Sequence, residues 1–114
     1  MIVLNAQSKV YVAIEAVDFR NGILGLKSKC REFLKQNPES GVYFLFRNKK
    51  MTAIKILVYD GQGFWLMMKR LSKGKFPWWP ESPNRGAELD YKKLQLIINV
   101  AFESSFSEDW KRLF

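Results

Sequence analysis

The chain has no histidine in 114 residues. That removes Ser-His and Cys-His nucleophile pairs, histidine general bases and histidine metal ligands. It has one cysteine, Cys30, so no disulfide can close within the chain and one copy cannot build a thiolate zinc site. Such usage suits a reducing compartment. No apolar run approaches the roughly 18 residues of a membrane span. The first residues, MIVLNAQSKVYVAI, lack the basic start and long apolar centre of a signal peptide. A soluble cytoplasmic protein with no membrane partner is the simplest reading. Gly-rich phosphate loops are missing too. GILGLKSK lacks the P-loop spacing, and DGQGF is far short of a dinucleotide fingerprint. No cofactor and no metal are implied.

What is present is apolar bulk and positive charge. The hydrophobic fraction of 47% and aromatic fraction of 15% suit a folded core. One compact domain is expected over residues 1–102, with 103–114 as a tail or short helix. Nineteen Lys and Arg stand against eleven Asp and Glu, a net charge of +8. The excess is local: Arg47 to Lys75 holds eight basic residues and the single acid Asp60. A clustered positive field is the footprint expected of a nucleic-acid binder.

KVYVAI (9–14) reads as a strand. Asp18 is the expected N-cap of a helix whose apolar stripe is Phe19, Ile23, Leu26, Cys30 and Phe33 or Leu34. Arg20, Lys27, Arg31 and Lys35 form a basic stripe on another face of it. Asn37-Pro38 and Gly41 end it. VYFLFR, AIKILVY and FWLMMKRL read as three strands joined by NKKMT and DGQG, both of hairpin length. SKGKFPWWPESPNRG is irregular. A second helix follows from Asp90, its stripe formed by Tyr91, Leu94, Ile98 and Ala101 or Phe102. The order β-α-β-β-β-α predicts an α+β fold: a mostly antiparallel sheet with helices packed on one face.

Residues able to carry chemistry fall in three places. Lys69, Arg70, Lys73 and Lys75, with Arg47, Lys49 and Lys50, fall at strand ends and turns, where long cations reach phosphate oxygens. Arg20, Lys27, Arg31 and Lys35 extend that surface along the first helix. Alternation in the two hairpin strands sets Lys55 and Lys69 among aromatics, as a single-strand groove would use, although Trp65 is expected to pack under the second helix. In FPWWP the prolines fix the backbone around Trp78 and Trp79. Either ring can plug the core or dock a partner, and Trp110 and Phe114 in the tail offer further anchors. For a carboxylate metal site the candidates are Asp18, Asp60, Glu15, Glu32 and Glu81. Asp18 has a cap reading and Asp60 a turn reading, and nothing in the spacing brings them together.

The order and spacing of several blocks resemble the TnpB accessory proteins of insertion sequences of the sixty-six type. An Asp-x-Arg-x-Gly-x-x-Gly-Leu block is matched by Asp18, Arg20, Gly22, Gly25 and Leu26. Phe44, Phe46 and Arg47 match a Phe-x-Phe-Arg block. Lys55 to Leu57, Asp60 to Phe64 and Lys69 to Leu71 match the hairpin blocks. Gly74, Phe76, Trp79 and Pro80 match the close. Val58-Tyr59 stands where the family is usually tryptophan-rich, and Asn21 where a basic residue is common. The resemblance implies a role in transposition beside a separate transposase, and brings no defined catalytic mechanism.

The leading expectation is therefore a non-catalytic accessory protein that binds DNA through its basic surface. A protein adaptor docking on the transposase through exposed aromatics is the alternative. A metal-dependent nuclease using Asp18 and Asp60 is the weaker one. Self-association is compatible with all three.

Overall fold

The computed structural model describes residues 7–104. Five strands, β1 (Val10–Ala13), β2 (Tyr43–Arg47), β3 (Ala53–Tyr59), β4 (Phe64–Arg70) and β5 (Gly86–Leu89), form one sheet in the order β4-β3-β2-β1-β5. Helix α1 (Ile23–Ser28) runs on into a π-helical turn, Lys29–Phe33, and α2 spans Tyr91–Ser104. The fold is α+β, with a mostly antiparallel sheet. Only β1 and β2 pair in parallel, because α1 carries the chain back across the sheet between them.

Turn chemistry explains both hairpins. In the first, the Asn48 amide oxygen accepts from Thr52 N at 2.9 Å and Ala53 N at 3.1 Å. In the second, Asp60 Oδ1 accepts from Gln62 N at 2.8 Å and Gly63 N at 3.0 Å, and Gly61 takes φ 99°. Strand β5 was not expected, since GAEL carries little strand propensity. It exists by pairing with β1, where the Tyr11 ring leaves no room for a side chain at Gly86: a Cβ there would lie 2.4 Å from Tyr11 Cε2.

The sheet is buried on both faces, and here the structure corrects the expected arrangement. One face joins Val10, Val12, Tyr43, Leu45, Ile54, Ile56 and Val58 to Leu94 and Ile97 of α2. The other joins Ala13, Phe44, Phe46 and Leu57 to Leu26, Cys30 and Leu34 of the first helix and its π-turn. The helices thus lie on opposite faces, not on one. Two-sided cover is why β2 and β3 read as continuous apolar runs. The first helix also begins later than expected. Gly22 is its N-cap residue, and Asp18 lies in the preceding loop. In α2 the buried positions are Leu94 and Ile97, with Tyr91 and Ile98 half-buried.

Candidate nucleic-acid interface

Three connections meet at one end of the sheet. They are the loop after β1 (14–22), the β2–β3 turn (48–52) and the long segment from β4 to β5 (71–85). Strand direction dictates this: Ala13 pairs with Gly86, Arg47 with Ile54, and Ala53 with Arg70. Backbone bonds tie the loops together. Val17 N donates to Arg47 O at 2.9 Å, Ile14 N to Arg85 O at 3.0 Å, Leu71 N to Thr52 O at 2.9 Å and Phe76 N to Met51 O at 2.8 Å. The last two set Lys73 and Lys75 beside the turn that carries Lys49 and Lys50. These four, with Arg70, are exposed.

Arg20 sits at this end too. Its guanidinium forks onto the Asp18 carboxylate, Nη2 to Oδ2 at 2.6 Å and Nε to both oxygens at 3.0–3.1 Å. Those bonds, with one from Arg20 N at 2.8 Å, hold the Asp18 carboxyl down to about 2. An open pocket of about 460 Å³ lies between Asp18 and Phe19 on one side and Lys49 and Lys50 on the other.

Other predicted cations have structural employment. Arg47 is half-buried. It reaches Ile14 O and Asn48 O at 3.4 Å and lies 5.9 Å from the Trp79 ring centre. It braces two of the loops and is not a free phosphate contact. Lys69 Nζ donates to Ile98 O of α2. Lys27, Arg31 and Lys35 are not continuous with the basic end. They follow α1 across a face of the sheet, Lys27 over the Phe64 ring at 4.7 Å and Arg31 paired with Glu39 at 3.5 Å. Lys35 is exposed where the helix ends in a left-handed residue, φ 57°. Arg85, absent from the predicted set, is exposed and stacks 4.4 Å from the Phe33 centroid. Only its place in a Pro-Asn-Arg-Gly turn marked it in sequence.

The expected shared surface of Lys55, Lys69 and aromatics is not formed. Register puts Lys69 opposite Ile54 and Lys55 opposite Met68, so the two lysines occupy opposite faces. Lys55 is 8% exposed, an ammonium that burial would penalise without partners. It donates to Phe19 O and Asn21 O, both at 2.8 Å, with its Nζ 4.9 Å from the Phe19 centroid. Its work is to pin the loop that presents Asp18 and Arg20.

The tryptophans divide. Trp79 is 9% exposed and its indole N–H donates to Ala13 O at 3.0 Å, so it belongs to the core and offers no docking anchor. Trp78 is 43% exposed. Trp65, expected under α2, is 50% exposed and held by Asp60 Oδ2 at 2.8 Å. Trp110 and Phe114 lie outside the described residues.

Asp18 follows β1 at the basic end, whereas Asp60 turns β3 into β4 at the opposite end. The seven-residue β3 separates those ends by roughly 20 Å. Each carboxylate is also committed to its own loop, so the two cannot grip one ion. No cluster of three His, Cys, Asp or Glu side chains with metal-binding geometry occurs among the described residues. Nor is any described helix long and apolar enough to cross a membrane.

The matched blocks now acquire physical meaning. Asn21 Nδ2 donates to Asp18 O at 2.8 Å, and a Cβ at Gly25 would meet that same side chain, Oδ1 at 2.2 Å. Leu26, Phe44, Phe46, Phe76 and Trp79 are core, and Asp60 to Phe64 is a built turn. Arg20 and Arg70 remain exposed.

These features define a small two-faced α+β protein with a cationic end built from cross-tied loops. The chain belongs to the family described as IS66 Orf2 like protein, whose model matches residues 8–103. It is thus of an insertion-sequence accessory family, not a known catalytic one. Two similar proteins come from Sinorhizobium fredii (strain NBRC 101917 / NGR234). The uncharacterized protein y4hO is 39% identical over 103 residues, 90% of this chain and 89% of its own. The uncharacterized protein y4jC is 37% identical over 68 residues, 60% of this chain and 58% of its own. No solved structure matches.

Proposed function

We propose that the protein is a cytoplasmic, non-catalytic accessory factor in transposition that binds DNA at the cationic end of its sheet. The observation that carries this reading is the joining of the 48–52 turn to the 71–76 segment through Thr52 O and Met51 O. It gathers Lys49, Lys50, Arg70, Lys73 and Lys75 from two stretches of sequence into one surface. Among the described residues none of these five is engaged in a salt bridge or ring contact, so each can give its charge to a phosphate. Arg20 joins them if the Asp18 fork is exchanged for a phosphate, for which a guanidinium is equally suited.

Fluorescence anisotropy across a salt series, with element-end duplex, scrambled duplex and single strand, tests the reading. Affinity should fall with salt with a log–log slope of about −0.9 per phosphate contacted. Charge reversal at Lys49, Lys50, Lys73 and Lys75 together should abolish binding, and reversal at Lys27 and Lys35 should leave most of it. No binding at low salt rejects the proposal.

A second reading rests on Trp78, exposed between Pro77 and the buried Trp79. Aromatics held rigidly at a surface are favoured interface anchors, and the transposase is the partner this reading names. Co-purification that survives nuclease treatment and is lost with Trp78→Ala supports it. A complex indifferent to that substitution counts against it.

A further inference from the structure

Strand β4 is an edge of the sheet, with β3 on one side and no strand on the other among the described residues. It is seven residues long and contains no proline, and from Phe64 to Met68 no charge interrupts it. Trp65, Met67 and Met68 are 50%, 38% and 55% exposed. Proteins ordinarily blunt such an edge with charges, proline or shortness, because its unpaired N–H and C=O groups are a template for another strand.

The direction of those groups is fixed by the hairpin. Asp60 N donates to Gly63 O, and Leu71 N donates to Thr52 O. Alternation along an antiparallel ladder then turns the backbone groups of Trp65, Met67 and Lys69 towards β3. Those of Phe64, Leu66, Met68 and Arg70 point outwards.

We propose that β4 pairs antiparallel with β4 of a second copy of the chain, about a two-fold axis through Met67, to form a ten-stranded sheet. This register alone overlaps all seven residues. It sets Phe64 opposite Arg70 and Leu66 opposite Met68, each an outward-pointing, hydrogen-bonded pair. It sets Trp65 opposite Lys69 and Met67 opposite its own copy, as non-hydrogen-bonded pairs. The side chains agree with it. Phe64 of each copy falls beside the exposed Arg70 of the other, an arrangement in which ring and cation attract, and Trp65 falls beside the stem of Lys69, whose ammonium is held by Ile98 O. The like charges at Lys69 and Arg70 stay at opposite ends of the pairing and never face one another. A one-register slip in either direction leaves end residues unpaired and loses both ring–cation pairs.

The test is the mass of the full chain by sedimentation and light scattering over a concentration series, with four substitutions. A dimer is expected. Met67→Cys should cross-link the dimer under mild oxidation, because non-hydrogen-bonded partners approach within disulfide range. Leu24→Cys, on α1 and more exposed than Met67 (78% against 38%), should not. Met68→Pro removes only an outward N–H and should raise the dimer dissociation constant about tenfold or more while leaving the hairpin intact. Circular dichroism checks that the variant is folded. Met67→Lys, which keeps every backbone group and places like charges on the axis, should have the same effect if the proline variant does not fold. A chain that stays monomeric at every concentration overturns the proposal. So does a dimer that fails to cross-link at position 67, or one that persists in both Met68→Pro and Met67→Lys.

Discussion

The indole N–H of Trp79 donates to the carbonyl oxygen of Ala13 at 3.0 Å, across 66 residues of sequence. The bond joins the irregular segment after β4 to the end of β1, and the Arg47 guanidinium lies near the same ring. Trp79→Phe should cost about 1 kcal/mol, since it keeps most of the apolar volume and loses the bond. Trp79→Ala should cost about 3–5 kcal/mol. Trp78→Ala should stay within about 0.5 kcal/mol of the parent. Urea unfolding of the three variants measures the differences. Equal effects at 78 and 79 would contradict the division of the pair into core and surface.

Lys55 carries a prediction of the opposite kind, because a lysine deep in a sheet looks replaceable by methionine. Its ammonium satisfies two backbone carbonyls of the 18–22 loop. Lys55→Met should destabilise by about 1–3 kcal/mol, the cost of leaving such groups without partners. Hydrogen exchange should rise over residues 15–22 and stay low in β2. Protection unchanged in that loop would remove the role assigned to Lys55.

Gly25→Ala should be destabilising although alanine is the better helix former by about 1 kcal/mol. The new Cβ collides with the Asn21 amide that holds Asp18 O. Asn21→Ala should recover part of the loss in the double variant, a non-additivity expected of touching residues. Strict additivity in thermal melts would refute the contact.

The Cys30 thiol is buried, and desolvation pushes it up to about 12 from its ordinary 9.0. It should react slowly with iodoacetamide at neutral pH in the folded chain and rapidly after denaturation. Its folded value is the raised one, so its contribution to stability is complete below about pH 9 and is lost as the pH rises through 12. Asp18 behaves inversely. Its depressed value means that the fork to Arg20 is fully present above pH 3.8 and fails as the pH falls through about 2. Carbon-13 shifts of the Asp18 carboxyl would follow this directly.

The sequence announced the β3–β4 hairpin plainly, because Asp-Gly-Gln-Gly is turn chemistry between two apolar runs. The cores of β1, β2 and both helices were legible for similar reasons. Strand β5 was not, because GAEL is a strand only by virtue of its neighbour β1, and propensity is blind to that. The placement of the helices failed on the same ground: period alone says which stripe of a helix is apolar, never which face of a sheet receives it. At the candidate site, Lys49, Lys50, Arg70, Lys73 and Lys75 could be picked out by charge and position. Arg47, Lys55 and Lys69 could not be set apart from them, since each is occupied by a carbonyl from a distant loop or helix.

The loops at the two ends of the sheet differ in charge as well as in length. Arg20, Lys49, Lys50, Arg70, Lys73 and Lys75 crowd one end, while at the other Asp60, Glu88 and Asp90 are offset by Lys9, Lys92 and Lys93. A single chain is therefore an electric dipole lying along its strands. In the field of a polyanion it experiences a torque before it experiences contact, and it arrives with its lysines leading. The gain is in encounter rate, on the order of 10-fold or more at low ionic strength, and it shrinks as added salt shortens the Debye length.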